Sequence, residues 1–375
     1  MMIAYVIPTR NRPERLRATL EAIGELPRHG AQVVVVDNDS DVPPAVPVVL
    51  ANGITTEVVF LKENQGAAAR NAGVGAADGA CEWVVMLDDD SHPMDVGFLG
   101  ALRDAAGDVA AVGAEIILPR EGRREAGGLP EVFTGCGVAI RPDAFLAAKG
   151  YDRGFDYYAE EYDLSAKLLL AGMRVTLDRR FRVAHHKVAA GRDMGRILRR
   201  LVRNNGWVMQ RYAPESARRK ELWETVSRYG RIAHLERAMG GYAHGLAELA
   251  ATLRGQRRTP MSAEMFDRFT GKAHARESLQ RAFGARPFST AALVNEGKNA
   301  RHIREAVAEL GVRVVDDAVG ADRIVIGTLS PGPMLDAWEG LVGRVDPERV
   351  IAPWGGLVEG CEDARSDVVA CAEAA

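Results

Sequence analysis

Cysteine is scarce in this 375-residue chain: Cys81, Cys136, Cys361 and Cys371 are scattered, without a CxxC pair or a histidine at zinc spacing. That pattern argues against a disulfide scaffold or zinc module and reads as reduced thiols in a reducing compartment. Long hydrophobic runs are missing too, since no stretch reaches the roughly 18 apolar residues that a membrane span needs. The opening MMIAYVIPTRNRPER holds an apolar run too short for a signal peptide and lacks a small-residue cleavage pattern. Nor is there an excess of charge of one sign. A net charge of −3 and a pI near 6.3 give no global basic field, so nucleic acid is not an expected partner. Internal repeats and low-complexity tracts are absent from the sequence. The expectation is a soluble, cytoplasmic protein without a transmembrane segment, for which peripheral membrane contact is the one route to a bilayer. With 47% hydrophobic and 26% charged residues, it has the length and composition for two or three globular domains.

What is present begins with alternation. Apolar runs at Ile3 to Ile7, Gln32 to Val36, Glu57 to Leu61 and Trp83 to Leu87 read as strands. Between them, Pro13 to Ile23 and Gln65 to Ala77 read as helices, the first opened by Pro13. This βαβαβ rhythm predicts an α/β fold, Rossmann-like, with a mostly parallel sheet. In such sheets ligands sit outside the carboxyl ends of the strands. Those ends carry PTRNR, DNDSD and DDDSHP, three polar loops that converge on one edge. A Gly-rich apolar stretch at Val132 to Ile140 is a further strand candidate. Glu160 to Ala171 is a helix stopped by Gly172. From about Asp193 to Gln256 the pattern is helical and Arg-rich. From Pro287 onward strand and helix alternate again, as in half of a doubly wound sheet. The expected division is 1–190 for a catalytic domain, 191–284 for a helical, Arg-rich segment and 285–375 for a small Rossmann-like α/β unit.

The segment WVVMLDDDSHP carries the strongest chemical signal: a buried strand that stops on Asp88, Asp89 and Asp90. In extended backbone Asp88 and Asp90 point one way and Asp89 the other. Two carboxylates about 5 Å apart repel by roughly 3 kcal/mol at an effective dielectric near 20. A divalent cation turns that repulsion into a site, and Mg²⁺ commonly shares its shell between carboxylates and substrate phosphates. Asp37 and Asn38 end the second strand, where they suit either a nucleobase edge or an Asx turn. Gly66 stands before a helix bearing Arg70 and Asn71, which gives phosphate binding a physical basis. Gly73, Gly75 and Gly79 have the wrong spacing and context for a dinucleotide fingerprint.

Glu160, Glu161 and Asp163 lie in the first turn of a helix, where acids complement its dipole. Asp163 and Lys167 are spaced for a surface ion pair. Glu161 shares a face with Leu164 and Leu168, and Glu160 adds like charge beside it, so Glu161 is a candidate general base. His185 and His186 are either structural or complete a metal or diphosphate shell. Arg192, Arg196, Arg199, Arg200 and Arg203 surround an apolar stripe at Ile197, Leu198, Leu201 and Val202. They form a solvated helix face, a site for an anionic acceptor or a contact with an acidic membrane.

The segments VIPTRNRPERLRATLEAI, VVVVDNDSD, ENQGAAARNAGV, VVMLDDDSHP and AEEYDLSAKLLLAGMRV, in this order, resemble the inverting GT-A glycosyltransferases of family 2, including rhamnosyltransferase-like enzymes. The resemblance covers roughly residues 1 to 210, RNNGW included. It implies a GT-A nucleotide-diphospho-sugar transferase fold and a Mg²⁺ or Mn²⁺ ion on Asp88 and Asp90, for which His185 is the candidate further ligand named above. It implies a UDP- or dTDP-sugar donor held by Pro8, Thr9, Arg10, Asp37, Asn38, Gly66, Arg70, Asp88 and Asp89. The base corresponds to Glu161, preceded by Glu160, and the acceptor is a small molecule, a glycan or a lipid-linked hydroxyl. Two departures stand out: Glu-Glu replaces Glu-Asp at the base, and Asn-Asp-Ser replaces Asp-Gly-Ser after the second strand. The last 90 residues have no counterpart. A sugar-1-phosphate nucleotidyltransferase is the alternative, although the loop after the first strand has no glycine. For the C-terminal unit the options are a nucleotide-sugar binding or assembly role, a homodimer contact, or a small phosphate loop at Gly327, Ser330 and Gly332.

Overall fold

The computed structural model describes residues 1–187 and 193–358. Arg192, Cys361 and Cys371 lie outside the described residues. The chain divides into two compact units, residues 1–122 with 132–266, and residues 123–131 with 267–375.

The first unit opens with β1 (Ile3–Thr9), α1 (Pro13–Glu25), β2 (Ala31–Asp37) and β3 (Thr55–Phe60). A 3₁₀ turn at Gly66–Ala69 leads into α2 (Arg70–Ala76), then β4 (Trp83–Leu87), β5 (Ser91–Pro93), α3 (Phe98–Asp104) and β6 (Val109–Leu118). The short β7 (Arg123–Arg124) belongs to the second unit. The first unit resumes with β8 (Gly137–Ile140), α4 (Pro142–Ala147), α5 (Glu160–Leu170) and β9 (Arg174–His185). It ends in the helices α6 (Met194–Tyr212), α7 (Glu215–Leu235) and α8 (Met239–Thr252).

Strand order is β3-β2-β1-β4-β8-β6-β9-β5. The β3-β2-β1-β4 part is parallel, whereas β8 runs antiparallel to both β4 and β6. Central strands are unbroken apolar runs because both faces are covered. Tyr5, Val33, Val35, Trp83 and Val85 pack toward Leu16, Leu20, Phe98 and Leu102 of α1 and α3. The alternate residues Val6, Val34, Val36, Val84 and Met86 pack toward Val74, Leu164 and Leu168 of α2 and α5. Gly73 has a packing role: a Cβ there would lie 2.4 Å from Val6 Cγ1, so only glycine lets α2 sit this close to the sheet.

Of the helical, Arg-rich stretch expected at 191–284, residues 193–266 fall in the first unit and 267–284 in the second. Asp193 caps α6 by accepting from the Arg196 N–H, and Leu198 and Val202 are buried against Tyr229 and Ala233 of α7. The α6–α8 crossing is close, since a Cβ on Gly245 would lie 2.3 Å from the Arg199 carbonyl oxygen. No helix among the described residues is long and apolar enough to cross a membrane.

The second unit contains α10 (Lys272–Ala285), β10 (Thr290–Val294), α11 (Ala300–Glu309), β11 (Arg313–Val315) and β12 (Arg323–Ile326), preceded by α9 (Ala263–Phe269) at its border. It continues with α12 (Pro331–Val342), β13 (Val350–Ile351) and α13 (Gly355–Val358). Its sheet is parallel, in the order β11-β10-β12-β13, as expected for half of a doubly wound sheet. The strand order reverses at β10 and β12, where such sheets bind ligands. Here the chain itself lies against that edge. Ser330 Oγ donates to the Gly127 carbonyl at 2.8 Å, and a Cβ on Gly332 would lie 2.3 Å from the Glu125 carbonyl oxygen. Arg124 pairs with Asp336 and Glu339 of α12, each at 2.8 Å. The phosphate loop considered for Gly327, Ser330 and Gly332 is therefore not available, because residues 123–131 already use its hydroxyl and its close-approach position.

One expected surface contact is interior. Asp163 has 0% exposure and binds Lys167 Nζ at 2.6 Å, Arg211 Nη1 at 2.8 Å and Tyr212 Oη at 2.6 Å. The sequence spacing identified Lys167 but not the α6 residues that cover the pair. Removing one partner of a buried ion pair leaves the other charge uncompensated. Asp163→Ala should lower the unfolding free energy by about 3–5 kcal/mol, read as a shift in the urea midpoint; a change under about 1 kcal/mol would contradict this assignment.

Candidate functional site

Loops at the carboxyl ends of β1, β2 and β4 enclose a cleft of about 250 Å³. Pro8, Thr9, Arg10, Asn38, Arg70, Asp88 and Asp89, all anticipated from sequence, line it together with Arg12 and Tyr157, which were not. Asp37, Gly66, Asp90, His185, Glu160 and Glu161 are not among the lining residues.

The three acids do not alternate as extended backbone would require. β4 ends at Leu87, and the chain turns at once, with the Ser91 N–H donating to the Asp88 carbonyl at 3.1 Å. Ser91 Oγ accepts from the Asp88 N–H and donates to the Cys136 carbonyl, which fixes the turn against its neighbour. In consequence Asp88 faces Arg70, while Asp89 and Asp90 share Arg12. Arg12 Nη1 and Nη2 reach Asp89 Oδ1 and Asp90 Oδ2, each at 2.5 Å. Thr9 Oγ1 donates to the other Asp89 oxygen at 2.9 Å, and His185 Nε2 lies 3.2 Å from Asp90 Oδ1. The side chains of Asp89 and Asp90 are almost fully buried, so these partners substitute for water.

Gly66 and Arg70 divide the task foreseen for them. Gly66 adopts φ 58°, and a Cβ there would lie 2.3 Å from the Asp156 carbonyl oxygen. That carbonyl accepts from the Ala67 N–H at 2.8 Å, so a protein group takes the anion-binding position at this turn. Arg70 is 4% exposed and donates to the Leu87 carbonyl and to Asp88. Its Nε has no hydrogen-bond partner among the described residues. Burial disfavours the Arg70 charge, yet Asp88 keeps the guanidinium pKa above its ordinary value. Asp37 accepts from the N–H of Ser40, three residues on, so its carboxylate holds its own loop. Asn38 accepts from the Gln65 N–H and donates to Asn64 Oδ1 and the Gly66 carbonyl, so its amide holds the loop while its flank lines the cleft.

Glu160 and Glu161 begin α5. Glu160 Oε2 is buried without a hydrogen-bond partner among the described residues, and burial, followed by the adjacent Glu161 charge, raises the Glu160 pKa well above the usual range. The Glu160 charge is also felt by Arg70 and by Tyr157, on the wall of the cleft. Before α5, non-glycine residues with positive φ cluster at Asp156 (61°), Tyr158 (72°) and Ala159 (67°). This conformation is rare outside glycine, and it costs of order 1–3 kcal/mol per residue. The arginines of α6 support this turn. Arg200 pairs with Asp156, Arg203 Nη2 donates to the Phe155 carbonyl at 3.2 Å, and Arg211 pairs with Asp152 and Asp163.

The residues suited to a divalent cation are two carboxylates and an imidazole. Donor atoms of Asp88, Cys136 and His185 lie within 4.8 Å of one another, and Asp90 is in direct contact with His185. Carboxylate and imidazole donors fit a first-row divalent ion, while a buried thiol would favour softer metals.

Titration of the two buried acids runs in opposite directions. Burial lifts the Asp89 pKa to about 7, against the pull of Arg12 and Thr9. Burial also works against ionisation of Asp90, but bonds from His185 and Arg12 outweigh it and hold the pKa at about 2. A carboxyl with a raised folded pKa holds its proton more tightly in the native state. Asp89 therefore favours the fold at low pH, and this advantage is lost as pH rises from about 4 through 7. Asp90 contributes stability above about pH 4 that is lost as pH falls toward 2. Asp89→Asn should flatten the decline in denaturation midpoint between pH 5 and pH 8; an identical decline in variant and native protein would remove Asp89 as its source.

The family model for glycosyl transferase family 2 matches residues 5–125, the stretch that contains the loops after β1, β2 and β4. No curated protein matches the chain. Among solved structures, GalNAc-T7 with UDP, GalNAc and Mn²⁺ is similar at TM-score 0.47 and 16% identity, covering 68% of this chain and 57% of that one. S. aureus TarS 1-349 is similar at TM-score 0.43 and 15% identity, covering 83% and 92%. A second S. aureus TarS structure gives 0.45 and 13%, covering 82% of this chain and 55% of that one. The chain thus spans little more than half the length of two of these three. The stretch that matches glycosyl transferase family 2 builds the acid-lined cleft on its mixed sheet, with the loops after β1, β2 and β4 all inside it.

Proposed function

We propose that the protein is a metal-dependent inverting glycosyltransferase that moves a sugar from a UDP- or dTDP-sugar to an acceptor hydroxyl. The observation that carries this reading is the pairing, in one cleft wall, of a buried guanidinium with an unused N–H and the carboxylates that end β4. Arg70 Nε offers a donor to a phosphate oxygen, at a depth where charge-assisted bonds are strong. Arg10 and Arg12 add positive charge at the rim, and Pro8, Thr9 and the flank of Asn38 form the wall for the nucleoside.

Asp88, Asp90 and His185 would hold Mn²⁺ or Mg²⁺, the imidazole suiting Mn²⁺ better than the all-oxygen shell that Mg²⁺ prefers. A bound cation would neutralise charge that develops on the departing diphosphate. The remaining work belongs to side chains. Burial and the adjacent Glu161 charge raise the Glu160 pKa well above the usual range, so Glu160 is the member of the pair that favours its protonated form, and Glu161 accepts the proton of the attacking hydroxyl. Arg70 and the exposed arginines orient the diphosphate so that it departs from the opposite face of the sugar.

This division of roles separates two variants. Glu161→Gln should lower kcat at least about a hundredfold while donor affinity changes little, since proton transfer is made only as bonds change. Glu160→Gln should keep most of the activity, because an amide mimics a protonated carboxyl; the reverse ranking would exchange the two assignments. Asp90→Ala should abolish Mn²⁺-dependent nucleotide binding in calorimetry, and an unchanged affinity would rule out the proposed cation site.

A further inference from the structure

The turn that leads into α5 is held by a residue outside the cleft. Asn204, in the RNNGW stretch of α6, has 0% exposure. Its Nδ2 donates to the carbonyls of Phe155 at 2.9 Å, Tyr157 at 2.9 Å and Tyr158 at 2.7 Å. Its Oδ1 accepts from Arg203 Nε at 2.8 Å. Carbonyls only accept and the Arg203 Nε–H only donates, so chemistry fixes the orientation of the amide. Three of the four carbonyls between Phe155 and Tyr158, in a turn with positive φ at Tyr158 and Ala159, thus converge on one side chain. From the other side the Ala67 N–H and the missing side chain of Gly66 clamp the Asp156 carbonyl.

The turn has two products. Tyr157 is placed on the wall of the cleft, where its ring lies beside Arg70 and Asp88 electrostatically. The Ala159 carbonyl then accepts the first helical bonds of α5, from Tyr162 and Asp163, and so sets the direction in which Glu160 and Glu161 leave the backbone. Backbone strain of this kind persists only where surrounding groups over-determine it. We infer that Asn204 is a positioning residue for the transfer step: its amide locks the strained turn that presents Tyr157 to the donor cleft and aims the acidic pair of α5. This inference rests on the glycosyltransferase reading for its kinetic part and on geometry alone for its conformational part.

The substitution Asn204→Asp keeps the shape but sets a carboxylate against three carbonyl oxygens. Amide exchange of residues 157–163 in the free protein should then accelerate at least tenfold, and kcat should fall by roughly a hundredfold, the scale expected for a misplaced reacting group. Donor KM should change less than kcat. A second variant, Ala159→Gly added to Asn204→Asp, removes a positive-φ penalty and should recover denaturation midpoint without recovering kcat. Recovery of kcat together with the midpoint would reduce Asn204 to a structural role, and unaltered exchange in the Asn204→Asp protein would overturn the inference outright. Wild-type protein that transfers no sugar from any UDP- or dTDP-sugar refutes the functional reading, whereas the exchange measurement decides the role of Asn204 in either case.

Discussion

Three adjacent carboxylates at the end of a buried strand repel one another, and every other part of the site answers that repulsion. Two arginines from different elements answer it: Arg70 binds Asp88, and Arg12 spans Asp89 and Asp90. Each arginine is fixed by an element whose position the sheet determines. Arg12 follows β1 and Arg70 opens α2, so the charges meet only if β1, β2 and β4 are parallel neighbours. Breaking any of these pairs would strand a charge in a low-dielectric interior, a penalty of several kcal/mol. The carboxylates therefore select the loops around them as much as the loops position the carboxylates.

Much of this was legible in the chain. Strand alternation located β1 to β4 to within a residue or two, because central strands covered on both faces leave long apolar runs. The apolar run Trp83–Leu87 coincides with β4, and the three acids follow its end, but Ser91–Pro93, which reads as loop, forms the short strand β5 against β9. β6 was not read as a strand, although Val109–Leu118 is almost wholly buried, because its alanines and glycine dilute the pattern. Side-chain direction beyond the strand was not legible either. Alternation presumes extended backbone, and the turn closed by Ser91 ends that assumption at Asp88.

The arginines of α6 show a second limit. Charge on a helix looks the same in sequence whether it faces water, lipid or the protein. Only tertiary contacts reveal that Arg200, Arg203 and Arg211 reach into the turn before α5 and onto Asp152, Asp156 and Asp163. Asn204 was hidden for the same reason, since an amide inside a polar run carries no periodic signal. A fully buried asparagine beside a strained turn is legible only when both are seen together.

In the second unit, the bond from Ser330 to Gly127 ties positions separated by 203 residues, and the backbone beside Glu125 fits only where Gly332 has no side chain. These stretches cannot drift independently. A lengthened residue at 332 demands a retreat of the strap, and a strap that retreats leaves the Ser330 hydroxyl without its acceptor. A bulkier side chain at 332 and a shorter strap would thus have to be introduced together for either to be accommodated.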